Sequence, residues 1–168
     1  MTWAIQTPSL GYPSIGDIIA DSDEYIAQPS LGDRVTAYDP DYGVGEFIWL
    51  DGVASTVVGS VVIFNPDDFS TTLASANGVG PIATAMGASV ADYQGWYQIY
   101  GKGVAKVLAS FADNADCYLT STAGSIDDAD VAGDYIRGMK GASAIDTPST
   151  GLAEVEMAYP SVADGKDN

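Results

Sequence analysis

The sequence predicts a mostly β protein, a compact barrel or sandwich with an internal pseudo-duplication and an extended N-terminal arm. Three observations predict it. From Tyr42 onward the chain breaks into short runs rich in β-branched and aromatic residues, punctuated by "DG", "NPDD", "NG", "DNAD" and "AG" turn chemistry. No apolar stripe of helical period and helical length competes with those runs. Finally, "PIATAMGAS" from residue 81 returns as "YIRGMKGAS" from residue 135, aligning Ile82, Gly87, Ala88, Ser89 and Asp92 with Ile136, Gly141, Ala142, Ser143 and Asp146.

Taken in order, residues 1–33 come first and differ from the rest. They hold five acidic residues, no Lys or Arg, and one phrase in three forms, "PSLG", "PSIGD" and "PSLGD". Pro8, Pro13 and Pro29 each remove a backbone donor and oppose helix or central strand. Yet Trp3, Ile5, Leu10, Tyr12, Ile15, Ile18, Ile19, Tyr25 and Ile26 are too many large apolar groups for a solvated linker. The expectation is an adhesive arm that lies on a partner's surface, with the remainder a self-sufficient fold.

Strands are predicted near 46–51, 60–64, 81–86, 96–101, 103–109, 116–120, 134–139 and 152–159. The last is clearest, because Ala153, Val155, Met157 and Tyr159 alternate with Glu154, Glu156 and Ala158. These form a β domain over 34–162 with pseudo-repeats at about 46–95 and 96–159, since "WLDGVAS" from Trp49 also resembles "WYQIYGKGVA" from Trp96. A polar tail, 163–168, is expected to be disordered.

Composition bounds the function. A chain of 168 residues is one domain's worth, and folding removes roughly 70% of such a chain's surface from water. Its 23 acidic and six basic residues give a net charge of −17, which repels phosphate backbones and anionic lipid, so neither nucleic acid nor membrane is an expected partner. The start "MTWAIQTPSLGYPS" lacks the pattern of a signal peptide, so synthesis in the cytoplasm is expected. The lone Cys117 reads as a small apolar residue inside a strand.

The chain has no histidine, which removes the usual general base, the Ser-His-Asp arrangement and the commonest zinc ligand. No catalytic residue, cofactor or metal is therefore assigned, and an enzyme is not expected. The acidic clusters at 21–24, 39–43 and 127–130 read as turn caps or as oxygen donors to a cation, without the spacing of a helix-loop-helix calcium site. Trp96, Gln98 and Tyr100 share one side of a strand and read as core or as a carbohydrate-binding face. Lys102 and Lys106 on one strand face, with Arg137 and Lys140 in the second copy of the repeated phrase, read as a solvated face or as contacts to an acidic partner.

A proline-punctuated apolar segment followed by a histidine-free, Gly/Ala/Thr/Val-rich β region with "GSVVIF", "GPIATAM" and "GKGVAKV" resembles the head decoration, or cement, proteins of tailed bacteriophages. The resemblance covers roughly residues 30–162. It implies a β-barrel or β-tulip body on the capsid exterior, bound to the major capsid protein, and self-association with a trimer favoured. Two fused copies would occupy two quasi-equivalent positions. The alternatives are another virion component, such as a tail or head-tail protein, or a glycan-binding β module.

Overall fold

A computed structural model describes residues 1–6, 11–23 and 28–163, and among them the secondary structure is entirely β. The twelve strands are β1 (Ala4–Ile5), β2 (Ile18–Ala20), β3 (Arg34–Asp39), β4 (Gly43–Asp51), β5 (Val61–Phe64) and β6 (Thr71–Leu73), then β7 (Gly80–Ala85), β8 (Tyr93–Lys106), β9 (Asp116–Leu119), β10 (Ile126–Asp127), β11 (Tyr135–Gly141) and β12 (Leu152–Val162). All strand pairs are antiparallel and belong to one hydrogen-bonded network, whose main path runs β1-β3-β4-β8-β7-β12-β11-β9-β10. A parallel bridge joins Val107, just beyond β8, to Ile126 of β10.

The runs of β-branched and aromatic residues became strands where they were expected, with one correction. The segment 96–101 and the first part, 103–106, of the segment 103–109 are not two strands but parts of β8, which continues through Gly101 at φ +95° and ends at Lys106. Its first half pairs with β4, and its second half pairs with β12 from Tyr100↔Ala158 to Lys106↔Leu152. The buried amide of Gln98 braces this change of partner, its Nε2 donating to the carbonyls of Tyr100 at 3.1 Å and Lys102 at 3.0 Å. Glycine punctuation here bends a strand rather than ending it.

Pairing order recurs along the chain. The neighbours β4-β8-β7-β5-β6 are followed by β8-β12-β11-β9-β10, the same connectivity advanced by four strands with β8 in both. The two "GAS" phrases also form the same turn. Ser89 Oγ donates to the carbonyls of Val90 and Tyr93, Ser143 Oγ to those of Ala144 and Thr147, and Asp92 and Asp146 share left-handed φ values of 64° and 69°.

Three apolar clusters fill the molecule. One lies under β9–β12 and includes Phe111, Ile136, Val155 and Met157; a second, with Ile48, Leu50, Tyr97 and Ile99, lies on one face of β4 and β8. The third lies on the opposite face, where Phe47, Trp49 and Trp96 are covered by Trp3, Ile5, Tyr12, Ile15 and Ile19. Residues 47–50 are therefore buried on both faces, which explains why "FIWL" reads as a continuous apolar run.

This cover corrects the expectation of an adhesive arm beside a self-sufficient fold. β1 pairs with β3 and β2 with β8, Ile15 and Ile19 are buried in the chain's own core, and Trp96 Nε1 donates to the Pro13 carbonyl at 3.1 Å. Proline does not exclude such a segment from the fold, because "PSIGD" and "PSLGD" supply turns. In the first, Ser14 N and Asp17 N exchange bonds with the Asp17 carboxylate and the Ser14 carbonyl, both at 3.0 Å; Ser30 and Asp33 repeat the pattern at 2.9 Å. Tyr12 Oη then donates to Asp33 Oδ2 at 2.7 Å, tying the region of one turn to the other. Among its described residues, Trp3, Ile5, Tyr12, Ile15 and Ile19 close the core. Leu10, Tyr25, Ile26 and the tail beyond Ala163 lie outside the described residues.

Asp39 anchors the start of this cover. Its carboxylate accepts the amide of Thr2 and caps the β3–β4 turn through Asp41 N at 2.9 Å and Tyr42 N at 3.2 Å. Burial pushes its pKa up, but the three backbone donors outweigh burial and hold it below the usual 3.8. A lowered native pKa contributes stability above the unfolded value that is lost as pH falls through the native one. Asp39→Asn is therefore expected to melt below the parent at pH 7, with the gap in Tm narrowing as pH falls below about 4; a gap constant with pH refutes the assignment.

Candidate interaction surface

The outer face of β3, β4, β8 and β12 concentrates the exposed aromatic groups. Tyr38 pairs across the sheet with Val44, Glu46 with Tyr100, and Tyr100 with Ala158, so these residues present one continuous face. Tyr38 is 43% exposed, Val44 50%, Tyr100 43% and Tyr159 54%, far above what rings of this size retain in a core. The rings of Tyr100 and Tyr159 lie 5.4 Å apart, and Tyr159 Oη donates to Glu46 Oε2 at 2.6 Å. That bond to a carboxylate, followed by partial burial, raises the Tyr159 pKa. Arg34 reaches the other oxygen of Glu46 at 3.5 Å.

Tyr159 is where the alternation of β12 fails. It was expected inward with Ala153, Val155 and Met157, but it sits at φ 51° and turns its ring outward. The local cause is a register shift between Arg137 and Met139 on β11, opposite this part of β12. Pro160 was the available sign, since proline inside a strand marks irregular pairing.

Beside the tyrosines an open groove of about 760 Å³ is lined by Val44, Tyr100 and Tyr135 and by four charged residues from four strands. Lys102 of β8 stands opposite Glu156 of β12, Glu156 opposite Lys140 of β11, and Lys140 opposite Asp116 of β9. Cross-strand partners share a face, so the charges alternate + − + − across the sheet. Lys102 is held in place by Glu154 at 2.7 Å and lies 5.8 Å from the Tyr42 ring centre.

Of the four cations singled out from sequence, the fold brings Lys102 and Lys140 into this groove. Lys106 is half-buried opposite Leu152, and Arg137 is exposed opposite Ser161. Trp3, Ile5, Tyr12, Ile15, Ile18 and Ile19 lie elsewhere, on the core cover and β2. A shared carbohydrate face for Trp96, Gln98 and Tyr100 is also corrected: Trp96 and Gln98 are buried, and a register shift at the end of the β4–β8 pairing separates them from exposed Tyr100. Tyr38, Val44, Tyr159, Asp116 and Glu156 were not singled out as a surface, because only pairing between distant strands makes them neighbours.

In the acidic clusters at 39–43 and 127–130, carboxylates accept backbone amides. Asp39 closes its own turn, and Asp128 Oδ2 accepts the amide of Ala112 at 3.0 Å. Among the described residues no three His, Cys, Asp or Glu side chains converge as a metal-binding group. Cys117 lies within β9, fully buried, and burial followed by the neighbouring Asp116 charge pushes its thiol up to about 12. A thiol reagent at pH 8 is therefore expected to leave the native protein unmodified and to titrate one thiol after denaturation; rapid native modification contradicts this.

No protein-family model matches the chain, and no curated protein matches it.

Proposed function

We propose that the chain is a non-catalytic structural protein that binds an ordered protein lattice through its tyrosine-rich face, as a decoration protein on a bacteriophage capsid exterior. The observation that carries this reading is the contiguous exposed set Tyr38, Val44, Tyr100 and Tyr159 on the face of an all-antiparallel sheet. Tyrosine supplies large contact area with few rotatable bonds, and interface cores are enriched in it and poor in charge. On a chain of net charge −17, a face with mixed signs is where a protein partner meets the least repulsion. A lattice multiplies such contacts, so modest single sites give firm attachment.

The body is read as a barrel-like internal duplication. The recurrent pairing order and the matching Ser89 and Ser143 turns support it. Two linked units then meet two neighbouring lattice positions. The test is cosedimentation of the purified protein with undecorated bacteriophage capsid shells. Saturable binding at a fixed copy number per capsomer, weakened at least tenfold by Tyr100→Ala with Tyr159→Ala, is expected. Absence of shell binding at micromolar protein refutes the reading, and selective capture on a glycan array would favour the carbohydrate-binding alternative.

A further inference from the structure

We infer that the groove face is a two-fold interface between two copies of this chain, zipped by the row Lys102–Glu156–Lys140–Asp116. The argument is one of symmetry. The four residues line one open groove and come from adjacent strands, so the row spans about 14 Å at roughly 4.8 Å per strand. A face-to-face two-fold axis parallel to the strands, between β12 and β11, reverses the order of the row. A reversed + − + − row is − + − +. Lys102 then meets Asp116 of the second copy and Glu156 meets its Lys140, and both contacts occur twice, as an isologous interface requires.

The Tyr159 ring leans the other way, over Tyr100 toward Glu46 of β4, and takes no part in the row. Charge complementarity selects a second copy as occupant. The rest of the surface opposes association, because each chain carries −17. Dimerisation is therefore expected to strengthen from about 0.01 M to about 0.15 M salt, as the Debye length falls from roughly 30 to 8 Å and screens that field. The groove shares Val44 and Tyr100 with the tyrosine-rich face, so dimer and lattice compete for this surface, and a monomeric parent overturns the dimer while leaving the lattice reading to its own test.

Sedimentation equilibrium and native mass spectrometry of the full chain test it. The parent is expected to be a dimer at tens of micromolar and about 0.15 M salt. Lys102→Glu sets two carboxylates together at both ends of the row, and Asp116→Lys sets two ammonium groups together there, so each variant alone is expected to weaken the dimer at least tenfold. An equimolar mixture of the two restores both contacts, and a heterodimer within about threefold of parental affinity is expected. Circular dichroism melts establish that each variant is folded, and rescue on mixing can arise only from contact between chains. A monomeric parent at 100 µM overturns the inference, as does a parental dimer unaffected by either variant or a mixture that forms no heterodimer.

Discussion

Deleting residues 1–20 is expected to abolish cooperative folding, giving a chain that aggregates or binds a hydrophobic dye and shows no sharp thermal transition. Those residues contribute buried Ile15 and Ile19 and the half-buried Trp3, Ile5 and Tyr12 to the cluster over Phe47, Trp49 and Trp96. Trp49 and Trp96 meet edge to face at 4.9 Å, and Trp3 meets Phe47 in the same way at 5.0 Å. Burial of each large apolar side chain contributes about 1.5–3 kcal/mol, so removing five and uncovering three rivals the roughly 5–15 kcal/mol that holds a domain folded. The deletion also frees β8 on the side where β2 pairs with Tyr93–Gly95 and leaves the indole of Trp96 without its acceptor on Pro13. A truncated protein that melts cooperatively within a few degrees of the parent would show that the cover is dispensable.

The second large effect is expected at the bend of β8. Gly101 has φ +95°, and a Cβ there would stand 2.4 Å from the Val44 carbonyl oxygen and 3.1 Å from the Gly45 Cα. Both obstacles are backbone of the neighbouring strand, so no side-chain rotation relieves them. Gly101→Ala therefore combines about 1–2 kcal/mol for left-handed backbone with about 1–3 kcal/mol for overpacking, and a fall in Tm of about 10 °C is expected. Gly43 is the internal control: its φ is +79°, yet nothing lies within 4 Å of an added Cβ. Gly43→Ala is expected to show the backbone term alone, about 1–2 kcal/mol. Equal losses at the two sites would mean that contact with β4 is unimportant.

The candidate surface was only partly legible in advance. Lys102 and Lys106 share one face of β8 as expected, but only Lys102 lines the groove, where Lys140 joins it from β11 with one strand between them. Arg137, in the same phrase as Lys140, lies opposite Ser161 and outside the groove lining, because proximity along the chain does not fix position across a sheet. Exposure of the tyrosines could not be read from residue type. Tyr97 and Tyr100 are three residues apart, and the first is buried while the second is open to solvent.

By itself the sequence determined the all-β class, most strand positions, the turn phrases and the twice-written "GAS" turn. These depend on local chemistry: β-branched side chains favour extended backbone, and Asp, Ser and Gly close turns with groups a few residues away. Tertiary structure alone decided the fate of the described residues ahead of Arg34. The same apolar groups that suit an adhesive arm also suit the inner cover of a sheet, and hydrophobic burial carries no label for whose surface is covered. Pairing over long separations decided it, bringing Pro13 to Trp96 and Thr2 to Asp39. It also carried β8 through Gly101 from one partner strand to another and aligned Lys102, Glu156, Lys140 and Asp116. Register between strands is set by the summed burial of both faces, which no single segment contains.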